Sequence, residues 1–223
     1  KGGGSPRPYQ LPVEHLIDDL IARYPRLAGK VTPRSIREKY RHAYTASRNE
    51  GFFATTVVLV EGTTEVYALP VYAQASGVDF DASSIAVVEC GGKGQIDRLY
   101  RIFNELGIPC YVIFDYDLGN TDKNLRRDTA DLLSLLGRGD VVDPPKAVIT
   151  ASFSCFSRDW EEDVSPEIDS YQTRKDKARS VLGVKEDSKP LIARFVALEL
   201  ASESPPIVPK LISDIISKIV AVS

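Results

Sequence analysis

The sequence predicts an α/β fold: a parallel β-sheet flanked by helices, preceded by N-terminal helices and followed by a C-terminal helical subdomain. Three observations carry this prediction. First, three short apolar runs end in acid or glycine: Thr56-Val57-Val58-Leu59-Val60-Glu61-Gly62, Ile85-Ala86-Val87-Val88-Glu89-Cys90-Gly91-Gly92 and Cys110-Tyr111-Val112-Ile113-Phe114-Asp115-Tyr116-Asp117. Runs of this length, rich in β-branched residues, read as strands buried on both faces. Second, they alternate with helical spacing, which implies a parallel sheet with helices on both faces. Third, the pattern changes after Thr150, where an irregular stretch leads into three helices.

Pro12 opens an amphipathic helix in which Val13, Leu16, Ile17, Leu20, Ile21 and Tyr24 share a face, with Gly29 at or beyond its end. Thr32-Pro33 reads as N-cap and first-turn proline of a second helix to about Ser47, with Ile36, Tyr40 and Ala43 on one face. Strand 55–60 then leads to helix 64–76, which Pro70 should interrupt and kink. Strand 84–89 leads to helix 95–106, with Ile96, Leu99, Tyr100, Phe103 and Leu106 inward and Gly107 as its stop. Strand 109–114 leads to helix 124–136, and strand 146–150 closes the series. Residues 151–165 read as irregular, and helices follow at about 171–182, 190–202 and 207–221. Leu211, Ile212, Ile215, Ile216, Ile219 and Val220 give the last helix an apolar stripe. The expected organisation is 1–48 as linker and leading helices, 49–165 as the catalytic domain, and 166–223 as a helical subdomain.

With 223 residues the chain is long enough for one domain with a large core and a helical appendage. It has no apolar run of membrane-spanning length and no signal-peptide pattern. Three cysteines, an odd number beside apolar segments, read as reduced buried thiols in a cytoplasmic protein. The chain has no methionine and opens Lys1-Gly2-Gly3-Gly4-Ser5, which reads as a fragment of a longer protein with a linker or cloning remnant at its start. A net charge of −3 argues against nucleic-acid binding through bulk positive charge. Basic residues cluster at Arg34–Arg41, Lys123–Arg127 and Arg174–Arg179, and each cluster alone reads as a solvated helix face.

In an open parallel sheet, chemistry gathers beyond the carboxyl ends of the strands. That places Glu61, Asp115 and Asp117 together. Crowded carboxylates repel, so a positive charge must offset them, and a hard divalent cation such as Mg²⁺ or Mn²⁺ suits oxygen ligands. Asp115 and Asp117, one residue apart, are expected on one side of the strand with Tyr116 on the other. Glu65, in the first turn of the next helix, also reads as a charge against the helix dipole. Asn120 and Asp122 are weaker candidates in the following loop. Gly91-Gly92-Lys93-Gly94 opens a helix with bare amides that suit a phosphate, and Lys93 is a candidate DNA-phosphate contact; the loop is not a P-loop. A tight strand–helix turn explains the same glycines. Trp160 reads as a core anchor, and His15 and His42 receive no catalytic role.

Leu59-Val60-Glu61-Gly62, with Glu65 one turn on, and Phe114-Asp115-Tyr116-Asp117 resemble the Toprim domain, the metal-binding module of topoisomerases, primases and some nucleases. Asn49-Glu50-Gly51-Phe52-Phe53-Ala54, the Thr64-Glu65 helix start and the Gly91-Gly92-Lys93-Gly94 loop are similar to the OLD (overcoming lysogenization defect) family. The resemblance is specific from about Asn49 to Asp117. In that family a C-terminal Toprim nuclease follows an ABC-type ATPase.

The resemblance implies a Toprim-type sheet and a metal-dependent DNA endonuclease or nickase that hydrolyses phosphodiester bonds with two Mg²⁺ or Mn²⁺ ions. Glu61, Asp115 and Asp117 would hold the first ion. Glu65 and an acid near 159–162, Glu161 first and Asp159 next, would hold the second. It also implies a C-terminal lysine near the scissile phosphate, for which Lys189 is the choice and Lys185 and Lys210 are rivals. DNA and an absent N-terminal ATPase domain are the implied partners, with a helicase in some members, in phage defence or DNA repair. The rivals are another Toprim enzyme of primase or topoisomerase type, a degenerate Toprim interaction module in DNA repair, and a HAD-like phosphatase reading of Asp115-Tyr116-Asp117 that leaves Glu61 unexplained.

Overall fold

The computed structural model describes residues 12–41, 46–185 and 187–223. The chain leads in with α1 (Val13–Arg23), α2 (Pro33–Arg41) and α3 (Ala46–Asn49), and short 3₁₀ segments follow α1 and α3. Thr32 and Ser35 exchange backbone-to-hydroxyl hydrogen bonds of 2.9 and 3.1 Å at the start of α2, as its Thr-Pro opening predicts. The expected extension of this helix to Ser47 crosses residues 42–45, which lie outside the described residues together with His42 and Ala43.

The alternating series follows: β1 (Thr56–Val60), α4 (Thr63–Ala75), β2 (Ile85–Glu89), α5 (Lys93–Glu105), β3 (Cys110–Asp115) and α6 (Lys123–Leu135). Its closure differs from the sequence expectation. The expected strand 146–150 is only β4 (Val148–Ile149), and the strand that pairs with β3 is β5 (Phe153–Phe156), inside the stretch read as irregular. Thr150 explains the reversal, because its hydroxyl accepts the amides of Ser152 and Phe153 at 3.2 and 3.0 Å and turns the chain back. The sheet order is β2-β1-β3-β5-β4, parallel throughout except for β4, which runs antiparallel to β5 at the edge. The chain ends in α7 (Trp160–Val164), α8 (Tyr171–Leu182), α9 (Lys189–Ala201) and α10 (Lys210–Val222).

Strand alternation splits the core into two layers. Val58, Val60, Tyr111 and Ile113 face α4, α9 and α10, whereas Val57, Leu59, Val112, Phe114 and Phe153 face α1, α5 and α6. Every β1 residue is fully buried, and each buried Val or Leu contributes about 1.5–3 kcal/mol. The interruption expected at Pro70 does not occur: α4 continues through it as one helix, packed most extensively along α9. Small residues at Ala68, Ala73, Ala193 and Ala197 belong to that shared core. The tail helices therefore share one core with the sheet, which brings the start of α9 to the carboxyl ends of the strands.

Candidate functional site

The parallel strands end side by side. Glu61 follows β1 and its amide extends the ladder to the Ile113 carbonyl at 3.1 Å. Asp115 ends β3, and its amide donates to Glu61 Oε2 at 3.2 Å. Beyond β5, the Tyr116 and Leu118 amides donate to the Phe156 and Ser157 carbonyls at 2.8 and 2.9 Å. A cavity of about 100 Å³ opens over these ends, walled by Glu65, Asp115, Asp159, Glu161, Lys175 and Lys189 together with Trp160 and Tyr171.

Glu65, in the first turn of α4, is only 3% exposed. Its Oε2 and Asp115 Oδ1 are buried and, among the described residues, have no hydrogen-bond partner. Burial raises both acids, helped by mutual repulsion. Glu65 is pushed up to about 7 by burial and the nearby Glu61 and Asp159 carboxylates. Asp115 is pushed up to about 9 by burial and by Glu65 and Glu61. Glu61 is raised less, because Lys93 and the Asp115 amide oppose its burial.

Asp117 stands apart from the simple alternation. The strand stops at Asp115 and Asp117 takes φ 60°, in the left-handed region, so the expected same-side placement on a continuing strand does not apply. Its Oδ2 meets Lys93 Nζ, and Lys93 also reaches Glu61 Oε2 at 3.3 Å. Asp117 borders a separate cavity of about 530 Å³ formed with the 118–121 loop, α6 and residues 139–143.

The remaining candidates divide between chemistry and architecture. Asp159 is the N-cap of α7, accepting the Glu162 amide at 2.8 Å, and its second oxygen meets Lys189 Nζ at 3.1 Å. That contact and the Glu161 and Asp115 charges hold the Lys189 ammonium above its ordinary range. Glu161 pairs with Lys175 at 2.5 Å. The Gly91 and Gly92 amides both donate to the Glu61 carbonyl at 3.1 Å, and Lys93 turns inward, 3% exposed. Asn120 Oδ1 accepts the Asp122 amide and Asp122 caps α6. Lys185 is placed away from the cavity lining, and Lys210 pairs with Asp214. His15 is exposed on α1.

Comparison with known proteins bears most directly on the stretch that carries these acids. Residues 52–117 match the model described as "Overcoming lysogenization defect protein-like, TOPRIM domain". These residues are an OLD-like Toprim domain. A protein of Thermus scotoductus described as an OLD nuclease is 34% identical over 115 residues, covering 50% of this chain and 22% of that protein. The Old nuclease of Escherichia phage P2 is 33% identical over 120 residues, covering 48% of this chain and 20% of that protein. The chain thus matches about a fifth of the length of these curated relatives. The fold extends the likeness: the C-terminal region of a Burkholderia pseudomallei OLD protein superposes with a TM-score of 0.55 at 18% identity, covering 77% of this chain and all of that one. The corresponding region from Xanthomonas campestris pv. campestris gives 0.54 at 19% identity, covering 76% of this chain and 94% of that one.

Around the Toprim acids, two residues escaped the sequence reading. Lys175 was one of a charged helix-face group, yet it is 8% exposed and lines the cavity. Tyr171, one turn earlier on α8, lines it too, and burial beside Glu161 raises its phenol. The signal that would have found both is their i, i+4 spacing, which puts them on one face of α8. Among the described residues, no three of Asp, Glu, His and Cys stand close enough to form a ready metal cage. Lysines stand between the acids instead. The two orphaned, buried carboxylate oxygens of Glu65 and Asp115 nonetheless fit a cation, because a buried anion needs a positive partner or a proton. Among the described residues no helix is long and apolar enough to cross a membrane.

Proposed function

We propose that this chain is the nuclease region of an OLD protein and hydrolyses phosphodiester bonds of DNA as a divalent-metal-dependent endonuclease or nickase. The observation that carries the reading is the pair of unpartnered, buried carboxylate oxygens of Glu65 and Asp115 in a cavity that also presents Lys189. The descriptions of the Thermus and phage P2 relatives as nucleases support it.

Glu61, Asp115 and Asp117 are the residues that would hold one Mg²⁺ or Mn²⁺ ion, and Glu65 with Glu161 or Asp159 a second. Ions there would supply an activated water and charge neutralisation at the phosphate. The chain's own residues do the rest. Glu65 and Asp115, raised toward neutral and mildly alkaline pH, give up their protons as positive charge arrives. Lys189, half exposed at the cavity edge, is placed to meet the negative charge that grows on the phosphate oxygens. Lys175 fixes Glu161, and the Asp159 cap fixes the start of α7. The proposed organisation remains 49–165 for the catalytic unit and 166–223 for the helices that carry lysines to it, with an ATPase domain, and in some settings a helicase, as partners in phage defence or DNA repair.

The test is plasmid nicking by this chain with Mg²⁺ or Mn²⁺ and no ATP. Nicked or linear product is expected. Cleavage that persists in excess EDTA, or that an Asp115→Asn variant retains, overturns the reading.

A further inference from the structure

Lys93 opens α5 with its side chain 1% exposed, and its ammonium lies between two carboxylates. Nζ is 3.3 Å from Glu61 Oε2 and 3.4 Å from Oε1, and it is hydrogen-bonded to Asp117 Oδ2. A buried ammonium is costly unless paired, and these two acids pair it. Lys189 differs, reaching its acid from the tail with more than half of its side chain exposed. Lys93 instead fills the space between two of the proposed ligands of one ion. A divalent cation and an ammonium a few ångströms apart repel strongly at protein dielectric, so the two do not share that space.

The same side chain borders a second cavity, about 160 Å³, between α1, α5 and α6, with Asp97, Asp128 and Asp131 in its wall. Asp97 is engaged by Tyr24 and Arg101, Asp131 by Arg26, and Asp128 by the exposed Arg127, and Arg26 and Arg98 line the same cavity, so its wall is polar with its charges largely paired. Gly92 and Gly94 on either side of Lys93 add no side chains to hinder its stem, and a Cβ at either would meet nothing within 4 Å. Polar space is thus present directly beside the Lys93 stem.

We propose that Lys93 is a tethered counter-ion that competes with the divalent cation, holding Glu61 and Asp117 together in the metal-free protein and withdrawing toward the polar cavity between α1, α5 and α6 when an ion takes its place. The inference rests on the metal-dependent reading above and adds a residue that sets how readily the site loads. A consequence is that Lys93 offsets part of the carboxylate charge in the metal-free protein, and that the site's affinity for metal is lower than its carboxylates alone would give.

The test is calorimetric titration of the DNA-free chain with Mn²⁺, comparing wild type, Lys93→Met and Lys93→Arg. Lys93→Met is expected to bind the ion that Asp117→Asn loses about tenfold tighter than wild type, because a competing unit charge is gone. Its metal-free melting temperature is expected to fall, and Lys93→Arg to stay near wild-type affinity. Equal or weaker Mn²⁺ binding by Lys93→Met overturns the inference while leaving the metal-dependent reading intact. No Mn²⁺ binding by any of the three overturns both. If Lys93→Met does not fold, the wild-type protein decides. The side-chain ¹⁵Nζ resonance of Lys93, assigned by its loss in Lys93→Arg, is expected to shift as Mg²⁺ saturates, and an unmoved resonance overturns the proposal.

Discussion

Glu65 and Asp115 come from different strand ends, β1 by way of α4 and β3, and each presents one buried oxygen without a hydrogen bond to the same cavity. Neither oxygen has a donor among the described residues, although lysines hold the acids around them. In the metal-free protein the pair is a local source of instability as soon as both ionise.

That gives a pH dependence with a definite sign. Both folded-state values, about 7 for Glu65 and about 9 for Asp115, lie above the ordinary 4.5 and 3.8. The folded state therefore binds these protons more tightly than the unfolded chain. Their stabilising contribution is full below the ordinary values and is lost as pH rises through the folded ones. The metal-free melting temperature should fall from about pH 5 to about pH 9. Asp115→Asn should flatten the upper part of that fall, and saturating Mg²⁺ should remove most of it. Thermal melts in EDTA and in Mg²⁺ check this, and a flat metal-free profile would contradict it.

On the proposed reading, Glu65 would separate a two-ion site from a one-ion site. Its carboxylate sits against the start of α4, where it also meets the helix dipole, but 3% exposure leaves it little solvent to satisfy it. Glu65→Gln keeps the shape and removes the charge. Crystals soaked in Mn²⁺ should show two anomalous peaks in wild type and one in the variant, with cleavage strongly reduced. Two peaks in both would leave Glu65 as a helix-start residue only.

The parts of this picture legible in the sequence are the local ones. The strands β1, β2 and β3 show as apolar runs because they are buried on both faces, and their terminal acids follow directly. Phe153-Ser154-Cys155-Phe156 is a strand because Val112–Asp115 of β3 pair with it, a contact some 40 residues away that no local pattern reports. Asp117 lost the simple alternation because the strand ends two residues before it. Lys175 looked like part of a solvated charge group because its partner, Glu161, lies across the turn between α7 and α8. Lys93 offered only a glycine-rich loop to read, whereas its direction is set by two carboxylates that lie just beyond the ends of β1 and β3.

Gly51 tests how tightly the segment before β1 is fitted. A Cβ there would stand 2.6 Å from Phe103 Cζ and 3.3 Å from Val57 Cγ2, and both partners are fully buried. Phe103 is further held by Phe52, with ring centroids 5.0 Å apart. Gly51→Ala should destabilise the protein by about 1–3 kcal/mol through overpacking. Urea unfolding measures it. An unchanged midpoint would mean that the 3₁₀ segment Glu50–Phe53 yields freely.

Lys189 separates catalysis from stability most cleanly. Its side chain is 55% exposed and its partner Asp159 keeps the Glu162 amide as a second contact, so loss of the pair should cost the fold little, within about 1 kcal/mol. The cavity nonetheless brings its first α9 residue into the same wall as Asp115. A charge so placed stabilises the transition state of phosphodiester cleavage more than the ground state. Lys189→Ala should therefore melt like wild type, bind Mn²⁺ like wild type, and cleave with a single-turnover rate lower by about 10²-fold, with only a modest change in DNA affinity. Lys210→Ala, whose lysine pairs with Asp214 on α10 away from the cavity lining, is the control expected to cleave normally. If Lys189→Ala cleaves at the wild-type rate, the charge that meets the phosphate comes from elsewhere, and Lys175, which lines the same cavity beside Glu161, becomes the residue to substitute next.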